Sequence, residues 1–139
     1  MNKLFTNIEF DGKRFGYIVH TYEVYSGVNF FGMEDDYLQS AVMLRTIDEP
    51  VLPHFHNRIE RQVLGTSEII FLCSGSAIVH FYNEKNESIG KFSVFEGDLI
   101  VFIDGGHGID FLESSKLIEI KQGPYLKNLD KTIIQVKGN

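Results

Sequence analysis

Short apolar runs separated by turn-forming residues extend along the whole chain. The runs are rich in Val, Ile, Phe and Tyr, and clusters of Gly, Asn, Asp and Ser divide them. Runs of this length and composition are typical of β-strands rather than helices. The pattern predicts strands near residues 4–10, 15–23, 37–47, 68–75, 76–83, 88–95, 98–103, 108–113, 116–122 and 131–137.

This many short strands at regular spacing predicts an all-β sandwich or barrel. Residues 82–88 (YNEKNES) predict a hairpin turn, and residues 95–99 (FEGDL) predict a tight turn into the next strand. Residues 37–47 have helical propensity, but the neighbouring strand-type runs favour a strand there. Residues 26–36 (SGVNFFGMEDD) predict a long loop or a helical turn.

A length of 139 residues suits one domain with one core. Neither a linker nor an internal repeat divides the sequence. We expect N-terminal strands and a loop over residues 1–36 to cover a barrel formed by residues 37–125. A closing strand is expected within residues 126–139.

The composition narrows the class of protein. A formal charge of −6 disfavours nucleic-acid binding, which requires a basic face. Cys73 is the single cysteine, so the chain has neither an internal disulfide nor a thiolate metal cluster. The sequence shows neither the apolar core of a signal peptide nor a run approaching the roughly 20 residues of a membrane span. These features predict a soluble cytoplasmic protein.

Two histidines in "PHFHN" are the first candidates for chemistry. Residues i and i+2 of a strand lie on one face, about 6.6 Å apart, so His54 and His56 would point in the same direction. Paired imidazoles can bind a divalent ion at about 2.0–2.2 Å. Taken alone, this pair is a weak indication of a site.

A carboxylate and a third histidine strengthen the metal hypothesis. Glu68 begins "EIIFLCSG", on a face that continues through the apolar Ile70 and Leu72. A carboxylate buried there needs a cation or a hydrogen-bonding partner. His107 follows a Gly-Gly turn and shares a face with Ile109. Three histidines and one glutamate form a suitable set for Fe, Mn, Ni, Zn or Cu.

The order of these motifs resembles that of the cupins, a family of small β-barrels. H-x-H, then E-x6-G, then a Gly-led turn ending in His all occur between residues 38 and 125. The resemblance implies a cupin jelly-roll (double-stranded β-helix) barrel. It further implies a divalent metal ion (Fe, Mn, Ni or Zn) inside that barrel, held by His54, His56, Glu68 and His107.

The sequence departs from the usual cupin motifs at several positions. Eleven residues separate His56 from Glu68, more than the family pattern has. Glu60 has the usual spacing from His56 but lacks the following glycine, so it is the alternative carboxylate ligand. In the second motif Ile103 replaces the expected proline, and His107 comes one residue early.

Five other residues are candidates for substrate binding or catalysis. Arg58 and Arg61 could bind an anion at the mouth of the barrel, or could be solvated loop charges. Glu119 and Lys121 alternate with isoleucines, so either they line a polar pocket as catalytic groups or they face water. Tyr125 could line the same pocket, although strand aromatic residues usually serve packing.

Three functions remain open at this point. The first is a metal-dependent enzyme, an oxygenase or an isomerase or epimerase, acting on a small polar molecule such as a sugar or sugar nucleotide. The second is a non-catalytic cupin module that binds a small ligand. The third is a metal-free sugar-nucleotide isomerase or epimerase. The segment "GGHGIDFLESSKLIEIKQGPY" also resembles a bacterial branch of small cupins associated with polysaccharide biosynthesis.

The sequence also predicts a homodimer. Apolar residues at outward positions, such as Ile78, and the closing strand "TIIQV" suggest association through sheet edges or faces. The cupin resemblance implies the same.

Overall fold

The computed structural model describes residues 5–22 and 26–136, and its regular structure there consists of antiparallel β-strands. The strands are β1 (Phe5–Phe10), β2 (Lys13–His20), β3 (Gly27–Phe31), β4 (Ser40–Leu44), β5 (Glu68–Ser74), β6 (Ser76–Tyr82), β7 (Ser88–Phe95), β8 (Asp98–Phe102), β9 (Gly106–Phe111) and β10 (Lys116–Lys121). Within these residues, no helix has the length and apolar character needed to cross a membrane.

The strands form three sheets. The largest has five strands in the order β1-β2-β8-β5-β10, and a second has three in the order β7-β6-β9. Strands β3 and β4 form a separate two-stranded sheet. Strand β10 is at one edge of the five-stranded sheet, and β9 is at one edge of the three-stranded sheet.

The main core lies between the five-stranded and three-stranded sheets. Alternation along β5 and β8 places Ile70 and Ile100 on the inner face, where both are almost fully buried. From the other sheet, Val79 and Phe81 pack against them and are completely buried. Removing these side chains from water is the main favourable contribution to folding.

A second apolar cluster lies on the opposite face of the five-stranded sheet. Tyr17 and Val101 are completely buried there, with Phe31 of β3 and Val42 of β4 packed against them. The Tyr17 hydroxyl lies 3.0 Å from the Ser40 hydroxyl, which satisfies a polar group inside this layer. The two-stranded sheet therefore covers the outer face of β2 and β8.

The structure confirms the all-β class and most of the predicted strands. Residues 40–44 form a strand, as the neighbouring runs predicted, and residues 82–88 form the predicted turn. Residues 26–36 were expected to be a loop or a helical turn, but they contain β3, in which Val28 and Phe30 are strand-forming residues.

The predicted closing strand is wrong within residues 131–136, the part of it that the structure describes. These residues pair with no strand and are mostly exposed. Residues 137–139 of the expected 126–139 closing segment lie outside the described part of the chain.

The strand geometry on which the shared direction of His54 and His56 was based is also absent. Residues 45–66 are exposed throughout and contain no strand. Pro50 and Pro53 lack the N–H group that a central strand donates to its neighbour, and the polar sequence that follows offers no alternating apolar face. Alternation with Val79 and Phe81 predicts that His80 faces the surface, yet it is only 8% exposed, with Nε2 lying 2.8 Å from Asp110 Oδ2.

Gly16 allows β2 to pass close to the backbone of β8 and to the Phe81 ring in the main core. A Cβ atom at this position would lie 2.2 Å from the Val101 carbonyl oxygen and 2.9 Å from the Phe81 ring. We expect Gly16→Ala to lower the free energy of unfolding by about 3 kcal/mol, because backbone or core atoms must move. Urea denaturation followed by circular dichroism would measure the loss.

Gly12→Ala is the matched control, since a Cβ there meets nothing within 4 Å and only the positive φ of 73° opposes it. The expected cost of that change is about 1 kcal/mol. Equal losses for the two variants would contradict the close approach at Gly16.

Candidate acid–base site at the start of β5

Glu68 places a carboxyl group on the inner face of the five-stranded sheet. It pairs with Phe102 of β8 on one side and with Lys121 of β10 on the other. Ile70 and Leu72 follow on the same face and are nearly fully buried. The Glu68 side chain is only 19% exposed, so the sequence-based prediction that it faces inward is confirmed.

His107 lies across from Glu68, on β9 of the facing sheet. Its Nε2 atom is 3.7 Å from Oε2 of Glu68, slightly beyond hydrogen-bond distance. The imidazole stacks on the Phe102 ring, with centroids 3.8 Å apart and an interplanar angle of 14°. Since Phe102 is itself buried, this stacking fixes the plane of the imidazole beside the carboxyl group.

Burial moves the two pKa values in opposite directions. Desolvation, followed by repulsion from Glu119, raises the pKa of Glu68 above its ordinary value of 4.5, and Lys121 partly offsets this. Desolvation lowers the pKa of His107 below 6.5. In both cases burial disfavours the charged form. The 3.7 Å contact therefore joins a partly buried carboxyl group to a more exposed imidazole, and desolvation opposes the charged form of each.

Lys121 and Glu119 lie on the same inner face as Glu68. The register places Lys121 opposite Glu68 and Glu119 opposite Ile70, so these charges do not occupy the outer face of β10. Lys121 Nζ lies 3.1 Å from Glu119 Oε1 and 5.2 Å from the centroid of the Tyr125 ring. The hydrogen bond to Glu119 raises the pKa of Lys121, which therefore stays an ammonium ion at neutral pH.

The other predicted site residues lie in the exposed segment 45–66. His54 and His56 are solvent-exposed, with ring centroids 5.0 Å apart, and His54 Nδ1–H donates to the Leu52 carbonyl at 2.8 Å. Arg58 and Arg61 are exposed as well, and Arg61 donates only to a local carbonyl, that of Ile59, at 3.4 Å. Glu60, the alternative carboxylate, is exposed in the same segment.

The donor set does not form a single metal centre as the structure places it. The described residues contain no group of three or more His, Cys, Asp or Glu side chains that could hold an ion. Glu68 and His107 form one pair of ligand-type groups, and His54 and His56 form a separate pair. The predicted arrangement of three histidines and a glutamate does not fit this conformation of residues 45–66.

Sequence reasoning missed two contributors to the site. Phe102 was assigned to a strand, but only the pairing of β8 with β5 places its ring under His107. The positive charge of Lys131 lowers the pKa of both Glu68 and His107. Alternation along β8 could have indicated the direction of Phe102, whereas the approach of Lys131 is a long-range feature that no local pattern encodes.

A recess elsewhere on the surface has fewer ionisable side chains than the Glu68–His107 site. It lies at the end of β3, and its lining consists of Phe30, Phe31, Gly32, Met33, Glu34 and Gln39. Glu34 is its one ionisable side chain, so the recess contains no acid–base pair. The Glu68–His107 pair is therefore the better candidate for a functional site.

The raised pKa of Glu68 has a consequence for stability. Between pH 4.5 and its higher pKa, the folded protein binds more protons than the unfolded chain, so the free energy of unfolding falls as pH rises through this window. We expect Glu68→Gln to stabilise the protein by on the order of 1 kcal/mol near pH 7.5, or a few degrees in Tm, and to have little effect below the window. Thermal unfolding at several pH values measures this.

Glu96→Gln is the control for loss of one negative charge, because Glu96 is exposed in the turn between β7 and β8. It should leave Tm almost unchanged at every pH. A lower Tm for Glu68→Gln at neutral pH would contradict the burial of an acid with a raised pKa.

His107 should produce the opposite pH dependence. Its folded pKa lies below 6.5, so its contribution is fully present above that pH and is lost as pH falls from 6.5 through the folded value. His107→Gln should therefore flatten the decline in Tm on the acidic side of pH 6.5. An unchanged decline in this variant would show that other groups cause it.

Comparison of the chain with family models, with curated proteins and with solved structures finds no match. The family resemblance therefore rests on the sequence motifs alone.

Proposed function

We propose that the protein binds a small polar molecule, a sugar or sugar nucleotide, at the inner end of β5 and transfers a proton on it. The contact between Glu68 and His107, 3.7 Å apart on facing sheets, is the observation that carries this proposal. General acid–base catalysis needs one group that can donate a proton and one that can accept a proton. Each must be in the right protonation state at the working pH. Desolvation raises the pKa of Glu68 and lowers the pKa of His107, so it favours a proton on the carboxyl group and an unprotonated imidazole.

The two residues would have complementary roles. His107 in its neutral form takes a proton from a carbon next to a carbonyl group, and Glu68 in the protonated form that desolvation favours gives its proton to the carbonyl oxygen, which produces an enediol. The resulting imidazolium and carboxylate attract each other across 3.7 Å in a partly desolvated setting, which favours the charge-separated state. Isomerisation is complete when the imidazolium gives its proton to the former carbonyl carbon and the Glu68 carboxylate takes the proton of the neighbouring hydroxyl group. Epimerisation would instead need an acid on the opposite face of the first carbon, a role proposed for the Tyr125 hydroxyl, while Glu68 takes back the enediol hydroxyl proton and His107 releases its proton to solvent.

Lys121 and Tyr125 would hold the substrate. The Lys121 ammonium group lies on the Glu68 face and can bind a phosphate or a developing oxyanion. Tyr125 offers a ring to a sugar and a hydroxyl that could act as a second acid. Arg58 and Arg61, in the exposed segment, are candidates for contacts to a more distant phosphate of the substrate.

A cupin jelly-roll is part of the same proposal. Strands β5, β8 and β10 belong to the five-stranded sheet and β6, β7 and β9 to the facing sheet, so the chain crosses between sheets repeatedly. Such crossing is typical of jelly rolls, and it supports the resemblance noted in the motifs.

A metal-dependent cupin is the second candidate. Glu68 and His107 supply two ligand-type atoms at a separation compatible with one ion, since each would lie about 2.0–2.2 Å from it. The rings of His54 and His56 lie close to each other and supply two further ligand-type nitrogen atoms, which supports this candidate. It requires residues 45–66 to adopt a different position, next to Glu68.

Isotope exchange tests the proton-transfer proposal. The protein is incubated in D2O with sugar phosphates and nucleoside diphosphate sugars, and deuterium at the sugar carbons is followed by NMR. We expect exchange into at least one probe, a loss of at least about 100-fold for His107→Gln, and a similar loss for Glu68→Gln. Binding of a probe without exchange would favour the non-catalytic ligand-binding function instead.

Chelation separates the two candidates. We expect exchange activity to survive extensive dialysis against EDTA, and His56→Ala to retain it, because the proposed acid and base come from β5 and β9. Loss of activity on dialysis and recovery with Mn²⁺ or Fe²⁺, together with stoichiometric metal that His56→Ala lacks, would favour the metal-dependent cupin. Metal loss in Glu60→Ala but not in Glu68→Ala would identify Glu60 as the carboxylate ligand.

A further inference from the structure

The segment after β10 connects the five-stranded and three-stranded sheets at the end where the candidate site lies. Near its start, the Tyr125 ring centroid lies 5.2 Å from Nζ of Lys121, at the end of β10. Near its end, Ile134 Cδ1 lies 3.0 Å from the position that a Cβ atom on Gly106, the first residue of β9, would occupy. Residues 125–134, here called the strap, therefore extend from one sheet to the other.

Contacts on both sides of Lys131 hold the strap in place. Before it, the Asp130 N–H group donates to the Leu126 carbonyl oxygen at 3.0 Å, and the Leu126 N–H group donates to Oδ1 of Asp130 at 3.0 Å. After it, the partly buried Ile134 packs against Gly106, where any side chain on the glycine would crowd it. These contacts restrict the path of the strap on either side of Lys131.

Lys131 presents a positive charge beside Glu68 and His107. This charge is among the causes that lower the pKa of both groups, so Lys131 lies within electrostatic range of each. In the part of the chain that the structure describes, Lys131 is exposed and forms no ion pair. Lys121 differs, because Glu119 Oε1 lies 3.1 Å from its Nζ atom. Of the two lysines, Lys131 is therefore the one that an incoming anion can bind without displacing a carboxylate.

We propose that Lys131 binds the phosphate group of a phosphorylated sugar while the reacting carbon lies between Glu68 and His107. A lysine ammonium group is a compact charge that binds phosphate well. Lys121, already paired with Glu119, is then left to stabilise the oxyanion that develops at the carbonyl oxygen. The part that the phosphate contact plays in turnover rests on the proposed proton transfer, whereas phosphate binding can be measured without turnover.

The overall charge of the protein makes phosphate binding a specific property. The chain has a formal charge of −6, so its average field repels a phosphate dianion. Asp130, next to Lys131 in the sequence, directs one carboxylate oxygen to the Leu126 N–H group. Phosphate binding therefore requires a local positive site, and removal of the lysine at that site should abolish most of the binding.

Phosphate titration of the full chain tests the assignment. The ring protons of His107 are followed by NMR while inorganic phosphate replaces chloride at constant pH and ionic strength. We expect a saturable shift with a Kd that Lys131→Gln raises at least about tenfold, because a charge-assisted contact is lost.

Lys116→Gln is the matched control for this titration, since Lys116 is exposed at the far end of β10, opposite Ser74. It should leave the Kd unchanged. Absence of saturable binding, or an equal Kd for the wild type and Lys131→Gln, would overturn the inference.

Three sugar probes identify the source of the phosphate. The same NMR measurement is made with glucose, glucose 6-phosphate and UDP-glucose. We expect at least one phosphorylated probe to bind about tenfold or more tightly than glucose, and Lys131→Gln to remove that preference. The tighter of the two phosphorylated probes shows whether Lys131 receives a sugar phosphate or a nucleoside diphosphate. Equal affinity for all three probes would overturn the proposed substrate class.

Ile134→Ala tests whether the strap positions Lys131. Loss of the contact with Gly106 should weaken phosphate binding about threefold or more although Lys131 remains, because the strap is then less ordered before binding. Leu129→Ala is the control within the strap, since Leu129 is 80% exposed, and its Kd should match the wild type. A wild-type Kd for Ile134→Ala, or an equal loss for Leu129→Ala, would contradict this positioning role.

Failure of the phosphate site can be distinguished from failure of the proposed function. If deuterium exchange fails while phosphate binding depends on Lys131, the proton transfer is wrong and the phosphate site stands. If exchange depends on His107 while Lys131→Gln binds phosphate like the wild type, the phosphate site is wrong and the proposed function stands. Circular dichroism checks that each variant is folded.

Discussion

The placement of a carboxyl group at the apolar interface between two sheets is the constraint on which the candidate site depends. Glu68 begins β5 on the face that carries Ile70 and Leu72 into the core. An ionised carboxylate in that position loses much of its hydration, so its proton is held more tightly than in water. Lys121 lies opposite Glu68 on β10, and its positive charge partly offsets the rise in the Glu68 pKa. His107 lies across from Glu68 on β9.

The fold provides this placement through strand pairing rather than through a local motif. Strands β8 and β10 flank β5, so Phe102 and Lys121 lie on either side of Glu68. The facing sheet brings His107 over Phe102, and the ring stacking restricts the imidazole. An acid and a base therefore approach each other from two sheets whose packing is fixed by the apolar core.

The sequence predicted those parts of the structure that depend on the alternation of side chains within one strand. Alternation correctly gave most strands, the inward direction of Glu68 and the shared face of Ile109 and His107, because side-chain direction in a strand follows from parity. Local pattern failed for residues 131–136, where strand-like composition lacks a partner strand, and strand parity did not apply to His54 and His56 in the exposed segment 45–66. It also left Glu119 and Lys121 undecided, and only the register with β5 places them on the inner face.

Partial burial raises the pKa of Glu68 and lowers the pKa of the neighbouring His107. An NMR titration tests it most directly, with the side-chain carboxyl carbon of Glu68 and the ring protons of His107 followed from acidic to alkaline pH. We expect a Glu68 pKa above 4.5 and a His107 pKa below 6.5, with the Glu68 value falling when Glu119 is replaced by Gln. A Glu68 pKa at or below 4.5 together with a His107 pKa at or above 6.5 would contradict it.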